Sequence, residues 1–196
     1  MSNHTSIGRV FGLVAAVVGA TPAFGTFHFM QIERVIGGVN GDTSAQAIQL
    51  RMRLGSQQFV SAAQVCLENA AGMSPILIVD METDVTLSTQ VLIASANFPS
   101  NTTPMAVPDF TMTNLIPPSH FAAGTLTFRQ DALTPCTGGI YWRLSWGGAS
   151  YTGSGSVIAT PLGNDADGNA NPPFAGSLPS TSLQALQFTG TTGALS

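Results

Sequence analysis

The run QAIQLRMRL at residues 46–54 alternates without a break. Ile48, Leu50, Met52 and Leu54 fall on one face, and Gln49, Arg51 and Arg53 on the other. Successive side chains of a strand point to opposite faces, so period-two alternation reads as a half-buried antiparallel strand. Further strand-like runs fall at 26–36, 60–68, 90–95, 109–113, 125–130, 139–147 and 182–188, separated by Gly, Pro, Asn, Asp or Ser, and the continuous apolar run at 75–81 reads as a buried strand. Asn40-Gly41-Asp42 marks a turn, and Ser119, after Pro117-Pro118, offers a cap for one turn of helix. The pattern predicts an all-β chain of about eight or nine strands in a sandwich or barrel, because a parallel sheet would need long crossover helices. The expected core comprises Ile48, Leu50, Met52, Val65, Leu67, Ile76, Ile78, Leu92, Leu126, Phe128, Trp142, Leu144 and Leu183.

Residues 1–25 read as a secretory signal peptide. Arg9 supplies the n-region charge, Val10 to Ala20 form an apolar stretch too short to span a bilayer, and Ala23-Phe24-Gly25 fits a small-x-small cleavage site. Residues 26–196 then form a single domain, secreted or held at the cell surface. No second apolar run approaches membrane-spanning length, so no membrane span is expected after cleavage. The chain has six basic residues, all arginines, against ten acids, for a net charge of −4. Charged residues make up 8% of the chain, against about 25% in typical soluble domains. So few scattered arginines make no phosphate-binding patch, which argues against nucleic acid as a partner. The absence of lysine excludes Schiff-base and P-loop lysine chemistry.

Cys66 and Cys136 are the only cysteines, an even pair in a chain expected to be exported. Cys66 shares a strand face with the polar residues Gln64 and Glu68, while Cys136 lies in a Thr-Pro-Cys-Thr-Gly-Gly loop. Spacing leaves a bridge and two separate thiols both open, with the separate thiols narrowly ahead.

Several groups of residues suggest chemistry, and each has a plainer explanation. Asn164, Asp165, Asp167 and Asn169 resemble half of a calcium loop, since hard cations want several oxygens from one tight turn. Gly163 and Phe174 stand where such a loop would begin with Asp and close with Glu, which favours an ordinary Asx-turn loop over calcium. Tyr141 and Tyr151 are candidates for stacking on sugar rings, whereas Trp142 and Trp146 share a face with Ile140 and Leu144 and belong to the core. Asp80, Glu82 and Asp84 alternate like paired acids, but a charged strand that resists edge pairing explains them better. Arg51 and Arg53 are placed to pair with Glu33 or Glu68 across a sheet. Asn101-Thr102-Thr103 matches a glycosylation triplet of little weight. No catalytic residue is assigned: His28 and His120 are the only histidines past the leader, and no nucleophile elbow, zinc-protease helix or cofactor glycine motif is present.

The runs FHFMQIERVIGGVNGDTSAQAIQLRMR, QVLIASANF, PDFTMTNLIPPSHFAAGTLTF, YWRLSWGG and TSLQALQF together resemble a group of exported bacterial proteins. These are similar to distant members of the lamin-tail class of immunoglobulin-like domains. The likeness covers most of residues 27–190. It implies an immunoglobulin-like sandwich without catalysis, acting as a structural, adhesion or interaction module at the cell surface or in the extracellular matrix. Expected partners are an extracellular or surface protein, a polysaccharide, or a second copy of the chain joined through strand edges. A carbohydrate-binding module, assisted by calcium in the 164–169 loop, is the alternative.

Overall fold

The computed structural model describes residues 27, 29–86, 89–153 and 173–187. Among them run nine strands: β1 (Met30–Ile36), β2 (Ala47–Met52), β3 (Ala63–Glu68), β4 (Ile76–Met81), β5 (Gln90–Ala94), β6 (Phe110–Thr111), β7 (Gly124–Gln130), β8 (Ile140–Trp146) and β9 (Leu186–Gln187). They form a five-stranded sheet in the order β6-β5-β2-β1-β9 and a four-stranded sheet in the order β4-β3-β7-β8. Neighbours pair antiparallel except β5 and β6, which run parallel. The chain changes sheets after β2, β4, β6 and β8, and the inner faces share one apolar core. The architecture is a β-sandwich. The described residues contain no α-helix, only single 3-10 turns.

The alternation seen in the sequence becomes rows of apolar pairs across each sheet. Val35, Ile48 and Ile93 line up across β1, β2 and β5, and Ile32, Leu50 and Val91 form the next inward row. In the other sheet Val79, Val65, Phe128 and Trp142 make one row, and Ile76, Leu67, Leu126 and Leu144 another. Such cross-strand pairs are the unit of sheet stabilisation. The β1–β2 turn is the one expected at Asn40-Gly41: φ is 52° and 90° at these residues, as a type I′ turn requires. Just beyond it the buried Gln46 side chain clasps the backbone of Ile116, its amide donating to the carbonyl at 2.9 Å and its oxygen accepting from the N–H at 2.8 Å. This fixes the loop before β7 against the start of β2.

Three bulges redirect side chains that strict alternation would place elsewhere. Each pairing skips one residue: Glu33 in β1, Ile78 in β4 and Tyr141 in β8. An extra residue kinks its strand and shifts the facing of the residues after it. Ile78 and Val79, although adjacent, are both buried in the core. Tyr141, expected to face away from Trp142, instead packs beside the core against Phe27 and Phe128.

Other departures come from where strands stop. β2 ends at Met52, so Arg53 leaves the sheet. Its guanidinium lies 5.3 Å from the centroid of the Trp142 ring, and Leu54 turns out to solvent. β9 begins at Leu186 rather than at the expected Ser182, and Leu183, assigned to the core, is 73% exposed. Met52, Ile76, Leu92 and Leu144 are half-buried, while the other eight expected core residues are buried. The turn after Pro117 forms as a 3-10 turn over Pro118–His120, but Pro117 occupies the cap position and Ser119 lies inside it.

Candidate functional site

The polar face of β3 is covered, contrary to expectation. Gln64, Cys66 and Glu68 all point away from the core, yet all three are buried. The hairpin loop between β7 and β8 folds back over them, and Cys66 and Cys136 form a disulfide with Cα atoms 5.9 Å apart. This overturns the narrow preference for separate thiols. The sequence signal lay in the facing strand. Thr125, Thr127 and Arg129 of β7 pair with Glu68, Cys66 and Gln64, so two polar rows meet and need a cover.

The layer beneath the loop is a connected network. Gln64 Oε1 accepts from the Cys136 N–H at 3.0 Å, and Gln64 Nε2 donates to Asp131 at 2.6 Å and Asp80 at 3.3 Å. Arg129 donates to Thr127 Oγ1, to the Cys136 carbonyl and to Glu68, with which it forms a buried ion pair at 2.8 Å. Burial pushes the Arg129 guanidinium pKa down, and the Glu68 carboxylate opposes that shift. Cys136 itself holds a left-handed backbone, with φ at 65°. Gln64 and Arg129 both hold the loop, through the backbone N–H and carbonyl of Cys136.

Burial raises the Asp80 pKa, as do the nearby Asp131 and Glu82 carboxylates, while the Gln64 amide lowers it. An acid whose folded pKa is raised binds more protons when folded. Its contribution to stability is complete below the unfolded pKa and is lost as pH rises through the folded pKa. Asp80→Asn therefore raises stability at neutral pH, by less than about 1 kcal/mol for a half-exposed group. The gain disappears below the carboxylate titration range. Thermal unfolding of the two proteins at acid and neutral pH reads both effects.

The remaining acids and arginines have local roles. Asp84 accepts from the Ser61 backbone N–H at 2.9 Å, and β4 ends at Met81, so Asp80, Glu82 and Asp84 do not share one strand face. Arg51 pairs with Glu33 at 2.7 Å, as expected, whereas Glu68 is taken by Arg129 and Arg53 by Trp142. Asn101 sits in a 3-10 turn and donates to the Asn97 carbonyl at 2.9 Å.

The aromatic pair does not form a platform. Tyr151 is buried, and Tyr141 is half-buried with its ring edge-on to Phe27 at 5.3 Å. Burial raises the Tyr141 pKa. Asn164, Asp165, Asp167 and Asn169, like His28 and the leader at 1–25, lie outside the described residues. Among the described residues no group of three or more His, Cys, Asp or Glu could hold a metal ion. His120 Nδ1 lies 3.1 Å from Ser119 Oγ, and no His–carboxylate ion pair occurs among the described residues. Burial lowers the His120 pKa.

One concave feature went unforeseen. The outer face of the five-stranded sheet carries a groove of about 230 Å³, lined by Arg34, Ile36, Gln49, Leu92, Phe98 and Leu183, among others. Ile36 and Ala47 line its base and belong, with Val39, Ala45 and Ala94, to a small apolar cluster separate from the main core, against which Leu92 and Phe98 pack. The bulge at Glu33 hid this face, because it changes which β1 residues point outward. No protein-family model matches the chain, and no curated protein matches it.

Proposed function

We propose that the chain is an exported, non-catalytic structural or adhesion module of immunoglobulin-like, lamin-tail-like type, acting at the cell surface or in the extracellular matrix. The observation that carries this reading is the Cys66–Cys136 bridge. Disulfides persist in oxidising compartments and are rare in the cytosol, and this one joins segments 70 residues apart. It agrees with a leader at residues 1–25. The ionisable groups beneath the loop also favour a scaffold over an enzyme, since Glu68, Arg129 and Gln64 hold one another and the loop backbone.

Contact runs through sheet faces and loops more than through strand edges. One edge of the five-stranded sheet is β6, two residues long, and a very short edge strand limits pairing between molecules. At the β4 edge, Thr113 and Asn114 donate to the Ile78 and Leu77 carbonyls. Self-association through a face remains part of the proposal.

The test is retention of the purified, oxidised protein on intact source cells, isolated envelopes and insoluble polysaccharides, alongside sedimentation velocity over a range of concentrations. The reading predicts retention on cells or envelopes, or reversible self-association. A monomer at every concentration that is retained on none of these surfaces overturns it.

A further inference from the structure

The groove on the outer face of the five-stranded sheet combines an apolar base with a cation, Arg34. Arg34 is exposed, and among the described residues its guanidinium has no ion pair and no hydrogen bond. Arg51, Arg129 and Arg53 are held by Glu33, Glu68 and Trp142 respectively. Arg34 pairs across the sheet with Gln187 of β9 on one side and with Gln49 of β2 on the other; Gln49 also lines the groove, and its side-chain amide bonds to no described residue. None of the described residues that line the groove is a carboxylate, in a chain whose net charge is −4. Arg34 is thus the one charged side chain among the described lining residues, and it stands beside apolar surface. A planar guanidinium with an amide donor next to it matches the two oxygens of a carboxylate.

The apolar part sets the rest of the ligand. Ile36 and Ala47 form the base with Leu92. Phe98 follows β5 at one end, and Leu183, 73% exposed, precedes β9 at the other. Ala47 leaves space where a larger side chain would fill the base. A volume of about 230 Å³ lies below the roughly 300–1,000 Å³ of drug-sized sites, so the body must be slim.

We propose that this groove binds a medium-chain alkanoate. The carboxylate sits in the Arg34 fork and accepts from the Gln49 amide, while the chain lies over Ile36, Ala47 and Leu92 toward Phe98 and Leu183. This goes beyond the adhesion role and does not depend on it.

Calorimetric titration of the full chain with decanoate, below its aggregation limit, tests the proposal. Decanol supplies the tail without the charge, and acetate the charge without the tail. Saturable binding of decanoate is expected, with both controls roughly tenfold weaker or worse. Arg34→Gln removes the charge from an exposed side chain and weakens decanoate binding roughly tenfold with an unchanged Tm. Leu183→Asp, also on an exposed residue, weakens it too. Absence of saturable binding, equal binding of decanol, or unaltered binding by Arg34→Gln overturns the proposal. Tighter binding of a leucine-ended peptide with a free carboxylate overturns the choice of alkanoate.

Discussion

Replacing Cys66 and Cys136 together by alanine lowers the unfolding free energy by about 4 kcal/mol. The bridge closes a loop over a sequence separation of 70 residues, and a cross-link of that span removes much of the freedom of the unfolded chain. A second effect acts on the folded side. Without the bridge, the loop after β7 is held over Gln64 and Glu68 mainly by the Cys136 backbone, through its bonds to Gln64 and Arg129. For a domain of this size the loss amounts to roughly 10 °C in Tm. Urea unfolding of the oxidised protein and the double variant measures it, and a difference below about 1 kcal/mol would count against a structural role for the bridge.

Glu68→Ala costs about 3–5 kcal/mol, because it strands the Arg129 guanidinium beneath the loop without its counter-charge. The size follows from burial: the two side chains are 5% and 11% exposed. The Arg51–Glu33 pair is a built-in control. Its distance is just as short, but the Arg51 side chain is 37% exposed, so Glu33→Ala costs under about 1 kcal/mol. Replacing Glu68 and Arg129 together by leucine and methionine recovers much of the loss, since a buried pair is often no better than an apolar one of similar volume. Denaturant unfolding of the two single variants and the paired replacement separates these outcomes. Equal small losses for Glu68→Ala and Glu33→Ala would show that the layer under the loop is wet and weakly coupled.

The strands of the sandwich were legible because their apolar residues alternate. Ile48 and Leu50 in β2, and Val65 and Leu67 in β3, occupy the inward positions that period two assigns. The turn at Asn40-Gly41 was legible because few residue pairs adopt positive φ at both positions. Three kinds of feature were not. A bulge costs one residue and leaves no compositional mark, so Tyr141 moved to the core side and the outward set of β1 shifted after Glu33. A polar strand face looks the same whether water or a folded-back loop covers it, which is why Gln64 and Glu68 concealed the disulfide layer. The outer groove needs Arg34, Gln49, Phe98 and Leu183 to meet from four separate segments, and only the register brings them together.

The most direct test of an exported, disulfide-bridged sandwich is mass spectrometry on the chain recovered from its source cells, alkylated without reductant. The account predicts a chain that begins after the leader, resists alkylation, and yields one linked peptide pair containing Cys66 and Cys136. A chain that still begins at Met1, with both cysteines alkylated, would contradict it.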